Sequence, residues 1–268
     1  MPEITAAMVK ELRDKTDAGM MDCKKALTET GGDMEKAIEY LRKTGAAKAE
    51  KKSGRAVKEG LIAAHIDSKV GALVEVLCET DFVAKNEKFR DFIRELAKTA
   101  AEIQKEGDVT NDIRIKAGEK LTQMIAVIGE NMQISRAIRW ESRNGLCSAY
   151  LHMGGKIAVM IEAEGVTNPT ILNDVCMHIA AFTPKYIVPE DIPSDIIAKE
   201  KEIAKSQLGN KPPQILEKIL DGKISKWYSE VCLMKQPWIR DDKISTEKAV
   251  PGLKVRRFVR WHVGESVT

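Results

Sequence analysis

Over the first 45 residues, apolar positions recur at three- and four-residue intervals, and small residues interrupt them twice. Thr5 can cap a helix that turns Met8, Val9 and Leu12 inward. After Ala18-Gly19 the pattern resumes over 22–28 with Cys23, Ala26 and Leu27. After Gly31-Gly32 it resumes behind Asp33 with Met34, Ala37, Ile38 and Leu41. The spacing predicts three short helices, the last ending at Gly45. A bundle of residues 1–45 is close to the lower size limit for independent folding and offers no deep cleft, so it reads as a binding module.

Periodicity then vanishes. Residues 46–59 carry Lys48, Lys51, Lys52, Arg55 and Lys58 against Glu50 and Glu59, the composition of a solvated basic linker. No aromatic is interleaved for base stacking, so no direct nucleic-acid contact is expected from it. From Gly60 the period is two. Strands are predicted over 61–66 and 73–78, around a turn at Asp67-Ser68-Lys69. A helix follows with Phe89, Ile93, Leu96, Ala100 and Ile103 on one stripe, then another over 111–128, then a strand over 132–141.

The order then repeats. Strands over 146–152 and 156–163 flank Met153-Gly154-Gly155, and Asn168-Pro169 opens a helix with Ile171, Val175, His178, Ile179 and Phe182. Two related α+β halves are inferred, 60–142 and 143–268. The second has Glu164-Gly165-Val166-Thr167 where the first has Thr80-Asp81-Phe82-Val83. It also contains a protruding helical hairpin over about 194–230, turning at 209–213, with arms too thin in apolar residues to bury much alone. Residues 231–239 read as extended chain. A final strand over 253–263 places Val255, Val259, Trp261 and Val263 on one face and Arg256, Phe258, Arg260 and His262 on the other, with Arg257 breaking the apolar face. The predicted class is α+β: a UBA-like three-helix module, then a two-half core with antiparallel sheets.

Composition narrows the function. The 268 residues are 43% hydrophobic but only 5% aromatic, so the core rests on aliphatic side chains. A net charge of +3 among 31% charged residues is too even to announce a nucleic-acid binder. No apolar run approaches a membrane span, the N-terminus lacks the pattern of a signal peptide, and the five scattered cysteines form no CxxC pair. A reduced cytoplasmic setting is expected, with no disulfide framework, metal site or cofactor. Phosphate-binding glycine loops and HExxH or GxSxG motifs are absent, which disfavours small-molecule catalysis.

The candidate chemistry lies in Cys78-Glu79-Thr80-Asp81-Phe82-Val83-Ala84-Lys85-Asn86, between a strand and a helix. An acid beside a large ring at such a turn suits a wedge that enters a partner's cleft. The competing reading buries Phe82 in its own core and makes Asp81 a helix cap. Met20-Met21-Asp22-Cys23-Lys24-Lys25 is either an adaptable contact or a piece of bundle core. His178 reads as structural. His152, at a hairpin end, reads as an exposed contact.

Two long segments, Asp17-Ala18-Gly19-Met20-Met21-Asp22-Cys23-Lys24-Lys25-Ala26-Leu27 and residues 78–86, together with Val255-Arg256-Arg257-Phe258-Val259-Arg260 and Val263-Gly264-Glu265, carry a resemblance to the elongation factor Ts family. It extends over nearly the whole chain. The resemblance implies a guanine-nucleotide exchange factor for elongation factor Tu that acts without covalent chemistry. It implies that Thr80, Asp81, Phe82 and Val83 enter the partner's G domain, the ring as a wedge and the acid against the Mg²⁺ site. It also implies docking by Met20, Met21 and Lys24, further contacts at Ile128 and His152, and a second partner domain reached by the second half. A homodimer through that half is compatible with the resemblance. Asp17 stands where the family usually has Gly, residues 240–252 match the family weakly, and the chain stops at Thr268 without the C-terminal helix of some members. The alternatives from other classes are an RNA- or ribosome-associated binding module using residues 46–59, and a peptide adaptor using the three helices.

Overall fold

The computed structural model describes residues 3–166, 168–208 and 213–265, apart from the side chains of Pro213 and Gln214. Contacts divide them into two compact units. One holds the N-terminal 63 residues, 73–139 and the segment from Val263; the other holds 64–72 and 140–262.

The first unit opens with helices α1 (Ala6–Thr16), α2 (Met20–Glu29) and α3 (Met34–Glu50). Thr5 and Asp33 cap the first and third, accepting from the Met8 and Lys36 amides at 3.3 and 3.1 Å. Val9, Leu12, Cys23, Ala26, Leu27 and Ala37 form the core of a UBA-like module. Two predicted boundaries move. α2 starts at Met20 rather than at Asp22, with Gly19 in the cap position. α3 does not stop at Gly45 but runs on to Glu50. Gly45 is a point of close approach: a Cβ built on it would lie 3.3 Å from the Ala126 Cβ. The missing side chain lets the backbone of α3 come near that residue, so the glycine reports packing and not termination.

Strands β1 (Glu59–Asp67) and β2 (Val70–Cys78) follow, then helices α4 (Asp81–Lys85) and α5 (Glu87–Ala101), strand β3 (Gly107–Asp108), helix α6 (Thr110–Ile128) and strand β4 (Met132–Glu141). The sheet order is β1-β2-β4-β3. Residues 71–76 of β2 are all buried, including Glu75, where strict alternation predicts one solvated face. β2 is an inner strand with both faces covered. Glu75 is held by Arg136 at 2.9 Å and by the Gly264 amide at 3.0 Å, which tie β2 to β4 and to the chain's last described turn. On α5, Phe89, Phe92, Ile93, Leu96, Ala97 and Ala100 are buried along one stripe.

The second unit contains β5 (Leu146–His152), β6 (Ile157–Glu164), α7 (Pro169–Phe182), α8 (Ser194–Ser206), α9 (Pro213–Val231), β7 (Pro237–Trp238), β8 (Asp241–Ser245), the short helix α10 (Thr246–Ala249) and β9 (Lys254–His262). Its main sheet runs β5-β6-β9, antiparallel at both pairings. The order places the second hairpin strand centrally, as in the first half. The turn expected over 209–213 lies largely outside the described residues, as does Thr167 in the segment set against Thr80–Val83.

Three expectations change here. The α8–α9 hairpin has its own small core of Ala204, Leu208, Leu220 and Ile224, so it is not bare of internal packing. Residues 231–239 are not simply extended: a 3₁₀ turn spans Leu233–Lys235 before β7. The faces of β9 are not those of simple alternation. The register shifts where Arg257 pairs with Glu162 and Val255 with Ala163. This bulge leaves Val255 and Phe258 packed on the core cluster that includes Val175 and Ile179. Arg257 then bonds Glu162 at 2.7 Å and lies 4.7 Å from the Trp140 ring centre, so the misplaced charge is paired and stacked. Within the weakly matching 240–252 stretch, α10 forms a short helix.

Candidate partner-binding surface

The turn after β2 is built by overlapping caps. Thr80 has extended backbone, and its Oγ1 accepts from the Val83 amide at 3.4 Å, making Thr80 the cap of α4. Asn86 closes α4 through its own amide to the Val83 carbonyl. Its side chain then accepts from the Lys88 amide at 2.9 Å and opens α5. Asp81 is therefore not the cap. Its carboxylate pairs with Lys85 one turn on, at 2.7 Å, where both groups are largely solvated.

The reading that buried Phe82 is overturned. Phe82 is 80% exposed, whereas Val83 and Ala84 are buried. Val83 anchors the turn while Phe82 points to solvent. Burying such a side chain contributes about 1.5–3 kcal/mol, which the free chain leaves unused at this position. The methionines resolve the same way. Met20 and Met21 are 59% and 76% exposed, while Cys23 of the same helix is buried. Lys24 is exposed four residues after Met20, on the same helical edge.

The first unit brings several of these residues to one open hollow, lined by Gly19, Met20, Asn86, Lys88 and Ile128 among others. Ile128 is half-buried and ends α6, with Gly129 at φ 88° turning the chain. The N-terminal module is tied to the start of α5 by Lys88 and Asp17, 2.6 Å apart. Asp17 sits at φ 55° as the cap of α1, a conformation that suits Gly and that Asp tolerates. Asp17 thus holds the turn and supplies the ion pair. That link and the carboxylates of Glu79 and Glu130 were not singled out from sequence. The only hint was the run Gly129-Glu130-Asn131, whose partner lies 50 residues earlier.

In the second unit, His152 is exposed at the end of β5, with Nδ1 3.1 Å from the Tyr150 hydroxyl. The next residue, Met153, is 69% exposed in a turn at φ 50°. His178 is fully buried and stacked between Phe182 and Trp238, the structural role expected of it. Among the described residues, no three metal-ligating side chains cluster and no helix is long and apolar enough to cross a membrane.

The described surface thus carries an exposed aromatic ring on a capped turn and exposed methionines on a small helical module. The family described as Elongation factor TS matches residues 79–265. An elongation factor Ts from Clostridium botulinum (strain Alaska E43 / Type E3) is 45% identical over 285 residues, covering 98% of this chain and 94% of that protein. One from Nautilia profundicola is 44% identical over 291 residues, covering 100% and 95%. One from Halothermothrix orenii is 42% identical over 275 residues, covering 97% and 92%. The chain belongs to the elongation factor Ts family, and its role is in translation elongation.

Proposed function

We propose that this chain is a guanine-nucleotide exchange factor that binds elongation factor Tu carrying GDP, loosens the Mg²⁺ and phosphate site, and releases the nucleotide. The observation that carries the reading is the 80% exposure of Phe82 on a turn whose next residue, Val83, is buried. The ring wedges between side chains of the partner's nucleotide-binding domain. Asp81 is led in beside it, exchanges its pairing with Lys85 for the partner's site, and disturbs the bound cation. Met20, Met21 and Lys24 dock on the same domain, with Ile128 at their margin. His152 and the second half reach another partner domain. The setting is the cytoplasm.

No bond is made or broken, so the protein is not an enzyme in the chemical sense. The mechanism is linkage: a factor that weakens GDP binding is itself weakened by GDP in the same ratio. Allosteric couplings are typically about 1–3 kcal/mol, and rapid exchange calls for the upper end or more.

The test is release of a fluorescent GDP from elongation factor Tu as this chain is added. Saturable acceleration, strongly reduced in Phe82→Ala, is expected. A folded wild-type chain that leaves the release rate unchanged would refute the reading.

A further inference from the structure

The ends of β2 and α6 exchange carboxylates. Glu130 accepts from the Thr80 amide at 3.0 Å and from the Thr80 hydroxyl at 2.7 Å. In the other direction, Glu79 accepts from the Asn131 amide at 2.6 Å. Asn131 is buried, and its side-chain amide donates to the Ser53 and Arg55 carbonyls at 3.2 and 2.8 Å. Arg55 returns to Glu79 at 3.4 Å. The clasp thus joins the turn that carries Phe82, the loop that follows Ile128 and the chain that leaves α3.

We propose that Glu130 is a positioning residue for Phe82, acting through Thr80; the inference rests on the exchange function proposed above. The Thr80 hydroxyl donates to Glu130 and accepts from the Val83 amide, so one oxygen couples the carboxylate to the cap of α4. α4 has only five residues and cannot hold its own shape by helix propagation. Water could satisfy the half-buried Thr80 groups. A carboxylate from a distant loop does more, because charge-assisted bonds are short and directional. Two of them from one residue fix the direction in which the turn leaves the sheet. A wedge held in its docking geometry before contact loses less conformational freedom on binding.

Three variants test this: Glu130→Gln, Glu130→Ala, and Glu130→Ala combined with Phe82→Ala. In the free chain, amide hydrogen exchange at Thr80 and Val83 is expected to quicken about tenfold or more in Glu130→Ala, as befits loss of bonds to a charged group, while the α5 amides stay protected. Unchanged exchange at Thr80 overturns the clasp. In the GDP-release assay, Glu130→Ala is expected to lower the maximal rate. The double variant is expected to lose less than the product of the two single losses, because Glu130 acts through the turn that carries the ring. Losses that multiply overturn the positioning role. Glu130→Gln keeps one acceptor oxygen for two donors and is expected to fall between wild type and Glu130→Ala in both measurements. If wild type itself fails to accelerate release, the exchange function falls, and the amide measurement still judges the clasp.

Discussion

Phe82 and Val83 adjoin in the chain and face opposite media: the ring is 80% exposed and the valine 7% exposed. Adjacent positions of one short capped helix send one side chain to solvent and the other into the core. Truncating each side chain therefore has opposite consequences. Phe82→Ala is expected to leave the unfolding free energy within about 0.5 kcal/mol of wild type, as for other surface changes. Val83→Ala is expected to cost about 1–3 kcal/mol. Urea midpoints read both, and a large loss in Phe82→Ala would return the ring to the core.

Gly45 offers a test of how α3 packs. A Cβ added to it would lie 3.3 Å from the Ala126 Cβ. Gly45→Ala gains about 0.5–1 kcal/mol of helix propensity against a tight contact, so its net effect is expected to be small. Gly45→Leu overfills the site and is expected to destabilise by about 1–3 kcal/mol. Stabilisation by Gly45→Leu in a thermal melt would instead place the residue at a loose helix end.

His178 makes the stability of the second unit depend on pH. Burial pushes its pKa below the ordinary 6.5. The Gln236 amide nitrogen donates to the Phe182 and Glu230 carbonyls, so its oxygen faces His178 Nε2 at 3.0 Å and accepts a hydrogen bond from it. His178 Nδ1 has no partner among the described residues, and a proton there would be stranded. As pH falls through 6.5 the unfolded chain binds that proton first. Stability is therefore full above 6.5 and declines below it, by at most about 1.4 kcal/mol per pH unit from this group. Melts between pH 7.5 and 5 (about the range in which an ordinary His titrates) are expected to show a shallower decline in His178→Gln. An identical slope would remove the histidine from the account.

The thiols should be inert. All five cysteines are buried, and none is in a disulfide. Burial raises Cys176 to about 12 and Cys232 to about 11, the latter with help from Asp191 and Glu190. Almost no thiolate exists near neutral pH, and the thiolate is the reactive form. Native protein is expected to react slowly with a chromogenic disulfide reagent, and denatured protein to react fully and fast. Rapid labelling of the native chain would reveal local opening around these residues.

Much of this was legible in sequence because local patterns carry it. The caps at Thr5, Asp33 and Asn168 act within a few residues of themselves, and the structure shows each of them accepting from the helix that it opens. Each of the two predicted hairpins forms, and in each the second strand, β2 or β6, takes an inner place in its sheet. Local reasoning misread Gly45 and the faces of β9, and it left Asp81 open between a cap and a contact. A glycine stops a helix or admits a neighbour with equal ease, Thr80 and Asp81 are both good caps, and a bulge shifts alternation without leaving a mark in composition.

The sequence by itself determined the class of fold and the family, because periodicity and motif are properties of neighbours along the chain. Tertiary structure alone decided that Phe82 is exposed and not a core residue, and that Glu130 holds Thr80 from 50 positions away. Exposure depends on what packs against a side chain, and a hydrogen bond on which groups meet. For residues so far apart in sequence, both are settled only when the chain has closed on itself.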